Sequence, residues 1–140
     1  MSAWRCAARW AALAAVLNLI WEVAQLPLYT IYESGTALWI AFAVAHCTAG
    51  DVVIAMACYG TAALATRSLR WPLERPLAGG GAATLVGLGY TAFSEWLNVS
   101  VRAAWEYAAA MPTIHGIGVA PLLQWLVIPP LMVLLARRFP

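Results

Sequence analysis

Lysine is absent from the 140 residues, and charge of either sign is scarce: 8 arginines and 6 acidic residues make up 10% of the chain, for a formal net charge of +2. A soluble domain carries about 25% charged residues, and a chain this short has no core large enough to hide the surplus apolar surface. What replaces the missing charge is apolar, with 64% of residues drawn from A, V, I, L, M, F, W, Y and C and a mean hydropathy of +0.77. That surplus must face lipid. A nucleic-acid binder, a disordered tail and a soluble enzyme are excluded on these grounds. Cysteine is sparse too. Cys6, Cys47 and Cys58 are odd in number and form no C-x-x-C pair, so neither a disulfide framework nor a zinc ribbon is indicated, and packed thiols are expected. Alternating strands are missing as well, which rules against an outer-membrane barrel.

What is present is a set of long apolar runs. Four reach the roughly 20 residues that a membrane span needs, at 10–32, 38–64, 81–101 and 118–136. The fold expected is therefore an all-α membrane protein, one domain over 1–140 with four transmembrane helices. The N-terminus, with two arginines before an apolar run, superficially resembles a secretory signal. Its apolar run continues to Tyr29, past the usual h-region of about 7–15 residues, and carries Asn18 and Glu22, so it reads as the first span. A short polar turn at 33–36, an arginine-containing loop at 66–80 and a segment at 102–116 join the spans. The last, with Trp105, Tyr107 and Met111 ahead of Pro112, is expected to hold a short interfacial helix and a turn. Gly79, Gly80 and Gly81 read as a hinge or helix start, and Gly50, Gly60, Gly87 and Gly89 as points of close helix approach.

Arginine marks orientation, because positive loops stay cytoplasmic. Arg5, Arg9, Arg67, Arg70, Arg75, Arg137 and Arg138, seven of the eight, fall on one side of the expected spans. Both termini are thus expected in the cytoplasm of a multi-pass protein of the cell inner membrane. Trp4, Trp39, Trp71 and Trp105 read as interfacial anchors. Comparison of the chain with itself at an offset of 73 places Glu22 on Glu95, Glu33 on Glu106, Asn18 on Thr91, Gln25 on Asn98 and Asp51 on Gln124. This pattern is consistent with two repeated helical hairpins.

Polar residues inside the spans carry the chemistry. Asn18, Glu22, Gln25 and Tyr29 are spaced i, i+4, i+7, i+11, and Thr91, Glu95, Asn98 and Arg102 repeat that spacing, so each helix presents a carboxyl and an amide on one stripe. Cys47, Asp51 and Cys58 share a stripe of the second span, with His46 about 140° around from Asp51. At a rise of about 1.5 Å per residue, Glu22, His46, Glu95 and Gln124 lie at one level and Asp51 nearer mid-membrane. Amides suffice to join helices by hydrogen bonds, whereas carboxyls in lipid carry an extra desolvation cost. Glu22, Asp51 and Glu95 are therefore the candidate catalytic residues. Asn18, Trp21, Gln25, His46, Tyr90, Trp96, Asn98 and Gln124 are the candidate substrate-binding residues, with Asn18, Gln25 and Asn98 orienting the carboxyls. Two carboxyls in a low-dielectric pocket form an acid–base pair suited to protonating an alkene or epoxide, moving a double bond or closing a ring, with tryptophan and tyrosine faces to stabilise a carbocation.

The stretch Asn18-Leu19-Ile20-Trp21-Glu22 resembles the N-x-x-W-E segment of the first span in the integral-membrane terpene cyclases of fungal meroterpenoid pathways. That resemblance covers one helix of four, and those cyclases have about seven spans. It implies Glu22 as proton donor and Asp51 as its partner. The combination W-E-x-x-Q-x-P, H-C-T-A-G-D, S-E-W-L-N and P-L-L-Q-W resembles a group of small uncharacterised bacterial membrane proteins, a resemblance that carries no activity with it.

Glu22, His46, Asp51, Glu95 and His115 are acceptable metal ligands by type, but no H-x-x-x-H or E-x-x-H spacing occurs, and neither a metal nor a cofactor is expected. Three functions remain open. An acid–base enzyme of isomerase or cyclase type, acting on an isoprenoid or other lipid-like substrate, predicts an apolar cavity opening sideways to lipid. A proton- or cation-coupled carrier predicts a polar path from both aqueous faces. A non-catalytic small subunit or assembly factor predicts stoichiometric partners. The expected partners are the lipid bilayer, a lipid-like small molecule, and a second copy or a larger membrane complex, with no nucleic acid.

Overall fold

A computed structural model of the protein describes residues 1–138. Ser2 starts α1 (Ala3–Gln25) by accepting a hydrogen bond from the Arg5 N–H, one of the donors that a helix start leaves free. Pro27 then removes an N–H, and the chain tightens into a 3-10 turn at Leu26–Leu28. The first helix therefore begins and ends earlier than the apolar run at 10–32 implied. The expected polar turn forms a single helical turn, α2 (Ile31–Ser34), after which the Thr36 side chain caps α3 (Ala37–Thr66). Arg67 ends α3 in the left-handed region, at φ 52°, as helix C-caps do. A proline in the first turn opens both α4 (Trp71–Glu74) and α5 (Pro76–Glu95). A π-helical turn at Trp96–Val101 follows, then an irregular segment, the hairpin β1 (Thr113–Ile114) and β2 (Ile117–Gly118), and finally α6 (Val119–Arg138).

The short helix expected within 102–116 does not form, because its backbone groups find partners elsewhere. The Thr30 N–H donates to Glu106 O and the Ala108 N–H to Leu28 O, so the segment runs antiparallel to the turn that follows α1. An isolated helical turn gains too little to compete with such pairing.

α1 packs against α3 and α6, α3 against α5, and α5 against α6, which closes the four long helices into a bundle. Three of them, α1 with its following turn, α3 and α6, are long and apolar enough to cross a membrane; four had been expected, and α5 is the exception. Its composition explains the difference. Five glycines, with Thr84, Tyr90, Thr91, Ser94 and Glu95, dilute its apolar content. A Cβ at Gly79 would lie 2.1 Å from Cε3 of Trp71, and one at Gly87 2.1 Å from Cε3 of Trp125, so two indoles rest directly on the α5 backbone. Gly50, Gly60, Gly81 and Gly89 meet nothing within 4 Å, so of the four expected contact glycines only Gly87 acts as one. Gly79 to Gly81 lie inside α5 and form no hinge.

The apolar core fills the arginine-bearing end. Trp10, Tyr59 and Trp71 form an aromatic cluster there, with the Trp10 and Trp71 rings edge to face at 4.9 Å. Trp10 Nε1 donates to Ala55 O at 2.9 Å, Trp71 Nε1 to Tyr59 O at 3.2 Å, and the Tyr59 hydroxyl to Leu69 O. Trp71 is fully buried and is therefore no interfacial anchor: the space at Gly79 draws it inward. Trp4 and Trp39 are 74% and 56% exposed, as anchors require. Arg9 Nη1 reaches Ala136 O at 3.3 Å and joins the ends of α1 and α6. Leu19, Ile20, Val53, Leu85 and Leu126 point outward, a surface suited to lipid.

Candidate functional site

Beyond that core the bundle encloses a cavity of about 880 Å³, within the range of small-molecule sites. Glu22 from α1, Asp51 from α3 and Glu95 from α5 all line it, as do Gln25, His46, Tyr90, Asn98 and Gln124. The helical stripes produce this convergence: residues spaced i, i+4, i+7 turn to one face, and the bundle directs those faces inward.

Gln124 of α6 is the junction. It is 2% exposed, and its Nε2 donates to Asn18 Oδ1 at 2.8 Å and Asp51 Oδ2 at 2.9 Å, with a longer contact of 3.4 Å to Glu22 Oε1. Gln25 Nε2 donates to Glu22 Oε1 at 2.8 Å, and Gln25 Oε1 accepts from Trp21 Nε1 at 3.1 Å. Asn18 donates back to Ala14 O at 2.8 Å. The Glu22 and Asp51 carboxyls are thus drawn toward one amide nitrogen. Two carboxyls gathered in one low-dielectric site are the arrangement in which an acid and a base can be held side by side.

Glu95 has a separate set of partners. The Tyr107 hydroxyl donates to Glu95 Oε2 at 2.5 Å and accepts from the Gly118 N–H at 2.9 Å. Tyr107 is fixed by its backbone pairing with Tyr29, whose ring lies 5.5 Å away. Burial pushes the Tyr107 hydroxyl above the usual tyrosine range, and the bond to Glu95 adds to that shift, so the phenol remains the donor. Trp105 turns its indole N–H toward the same carboxyl without closing a hydrogen bond.

Phe42, His46 and Gly50 of α3 and Tyr90 of α5 are lining residues that are also exposed, which puts an opening sideways between those two helices. Trp39, Phe42 and His46 stack along α3, with centroid spacings of 5.4 and 5.6 Å, both at 18°. His46 thus stands in an aromatic ladder at the mouth.

No protein-family profile, curated protein or solved structure matches the chain. Its chemistry has to be read from the cavity itself.

Several sequence-selected residues stand elsewhere than their spacing implied. Trp96 does not line the cavity; it is 49% exposed and packs on Phe93 at 6.0 Å. Trp21 stands behind Gln25 and Asn18 beneath Gln124, neither lining the cavity. Adjacent helical residues point about 100° apart, so a tryptophan next to a glutamate in sequence leaves its face. Asn98 donates to Ser94 O and Oγ rather than to Glu95. Tyr107 and Trp105 are site residues that sequence reasoning missed, and the one signal for them was aromatics in a connecting segment, whereas Tyr29 and Cys47 stood on the carboxyl stripes without being selected. Among the described residues no three His, Cys, Asp or Glu side chains are grouped to hold a metal ion.

Proposed function

We propose that the protein is a membrane enzyme performing acid–base chemistry, of isomerase or cyclase type, on an isoprenoid or other lipid-like substrate held in this cavity. The convergence of Glu22, Asp51 and Glu95 on one cavity carries the reading. Carboxyls at membrane depth are costly, and amides alone would have joined the helices. In the reaction, one carboxyl of the Glu22–Asp51 pair delivers its proton to an alkene carbon, the carboxylate of the other removes a proton from a neighbouring carbon, and that proton passes back to the donor to close the cycle. The double bond moves, or a ring closes, with no atom gained or lost. Glu22 takes the donor role with Asp51 as its partner, as the terpene-cyclase resemblance implies, while Glu95 with Tyr107 supplies a second acid–base group. Tyr90, Phe42 and Trp39 offer ring faces to a cationic intermediate.

The arginine-bearing end belongs on the cytoplasmic side of the inner membrane, with both chain ends there and α5 carried across inside the bundle. A carrier fits less well, because Trp10, Tyr59 and Trp71 fill the arginine end where a second aqueous path would have to run.

Solvent deuterium tests the reading. Purified protein in lipid nanodiscs in D2O, given a panel of neutral isoprenoid alkenes, alcohols and ketones, should leave carbon-bound deuterium in one of them, detected as a one-dalton gain by mass spectrometry. Glu22→Gln and Asp51→Asn should each slow that incorporation by about 10²–10⁴-fold, the usual worth of a general acid or base. Absence of incorporation by the native protein across the panel, or its survival in both variants, overturns the assignment. Stoichiometric copurification with other membrane proteins would instead support the subunit reading.

A further inference from the structure

We infer that the Glu95 end of the cavity is a binding subsite for the oxygen of an uncharged apolar molecule, in which the Trp105 indole N–H donates to a carbonyl or hydroxyl oxygen beside the Glu95 carboxyl. The inference rests on the cavity being a substrate site, as proposed above, and adds the substrate's chemical class.

Trp105 is set apart by its indole. Three other indoles in the bundle satisfy their N–H groups within the chain: Trp10 at 2.9 Å, Trp21 at 3.1 Å and Trp71 at 3.2 Å. Trp105 Nε1 is shielded from solvent and makes no hydrogen bond, although its residue lines the cavity beside Glu95. A buried donor without a partner is costly to keep, so its retention on a cavity wall points to an acceptor that arrives with the ligand. Glu95 is fixed from the other side by the 2.5 Å bond from Tyr107, so the carboxyl does not have to reorganise to receive a ligand.

Charge narrows the ligand further. Glu22, Asp51 and Glu95 line the cavity, and among the described residues no arginine does. A phosphate, diphosphate or carboxylate would face carboxyls with no guanidinium to balance it, whereas a neutral oxygen meets an indole donor. The remainder of the molecule is apolar, since the wall includes Leu26, Phe42, Ile54 and Trp125 and the mouth opens sideways between α3 and α5.

The test is an indole N–H titration followed by NMR. Full-length protein in nanodiscs, labelled with 15N at the tryptophan indoles, presents eight indole signals, and Trp105→Phe assigns one of them. Titration with 2-undecanone should move the Trp105 indole proton downfield saturably, whereas undecane and undecanoate should not. In Trp105→Phe, with the other seven signals in place as a check of folding, the ketone should bind about tenfold more weakly, the loss expected for one hydrogen bond. A Trp105 signal that ignores the ketone, or responds equally to undecane, overturns the subsite. If Trp105→Phe does not fold, Trp105→Tyr supplies the assignment, and the comparison of ketone with alkane on the native protein decides. Failure here leaves the deuterium test of Glu22 and Asp51 standing. Ketone binding without deuterium incorporation would leave a binding cavity without the proposed chemistry.

Discussion

Gln124 offers one amide group to oxygens on two other helices, and so ties α1, α3 and α6 together through a single side chain. Gln124→Leu keeps the side chain's approximate size but strands Asn18 Oδ1 and Asp51 Oδ2, which should cost about 1–3 kcal/mol for each acceptor left bare. Thermal unfolding of the purified variant in detergent should show the drop as a Tm several degrees lower; an unchanged Tm would mean the network adds nothing. Tyr107→Phe makes a parallel case outside the spans, removing the donor to Glu95 and the acceptor for the Gly118 N–H. Because the Tyr107 hydroxyl lies above its ordinary value in the folded chain, its contribution is fully present below the free tyrosine pKa of about 10 and is lost as pH rises beyond it. The native protein should therefore lose stability at alkaline pH more steeply than Tyr107→Phe. At this scale the buried polar group was legible in the sequence, since a carboxyl or amide on an apolar helix stands out and its spacing gives its face. Tyr107 and Trp105 were not, because an aromatic in a connecting segment reads as an interfacial anchor until the backbone pairing of 102–112 with the turn after α1 turns it inward.

Among the elements, α5 was the hardest to read, and the reason is physical. A helix that packs indoles against its backbone must give up side chains, and each glycine it uses lowers the apolar signal by which a span is recognised. Its glycines are not equivalent. Gly87→Ala drives a methyl group to 2.1 Å from Trp125, so it should destabilise by about 1–3 kcal/mol through overpacking, whereas Gly89→Ala, with nothing within 4 Å, should be neutral or mildly stabilising. Paired unfolding curves check this, and equal effects of the two substitutions would show that the Trp125 contact is soft. Helix ends were legible only where chemistry marks them. Thr36 was visible as a polar turn residue, but the stop at Gln25 came from Pro27, seven residues before the apolar run itself gives out.

For the whole molecule, the two ends of the bundle differ in a way that bears on how it sits in a membrane. One end is filled by tryptophan and tyrosine and carries seven of the eight arginines; the other holds the cavity, the carboxyls and the irregular segment with Arg102 and Glu106. Arginine excess sets orientation in the short loops of membrane proteins, so the filled end is expected in the cytoplasm and the cavity end outside. α5 bears on this directly. It is 20 residues long, about 30 Å at 1.5 Å per residue, and runs between α3 and α6, but its own composition gives an insertion machinery little to act on. In the proposed topology its passage therefore depends on its neighbours. With Cys6, Cys47 and Cys58 replaced by serine or alanine, single cysteines at Ser34, Ser68 and Ser100 report the three connections. A membrane-impermeant maleimide added to intact cells should label Ser34→Cys and Ser100→Cys but reach Ser68→Cys only after lysis. Labelling of Ser100→Cys together with Ser68→Cys would mean that α5 does not cross, and labelling of Ser68→Cys alone in intact cells would invert the orientation. Gly87→Ala should increase the fraction of chains with Ser100→Cys on the cytoplasmic side, because in the proposed topology α5 is held across the membrane by its contact with Trp125 and α6 rather than by its own hydropathy.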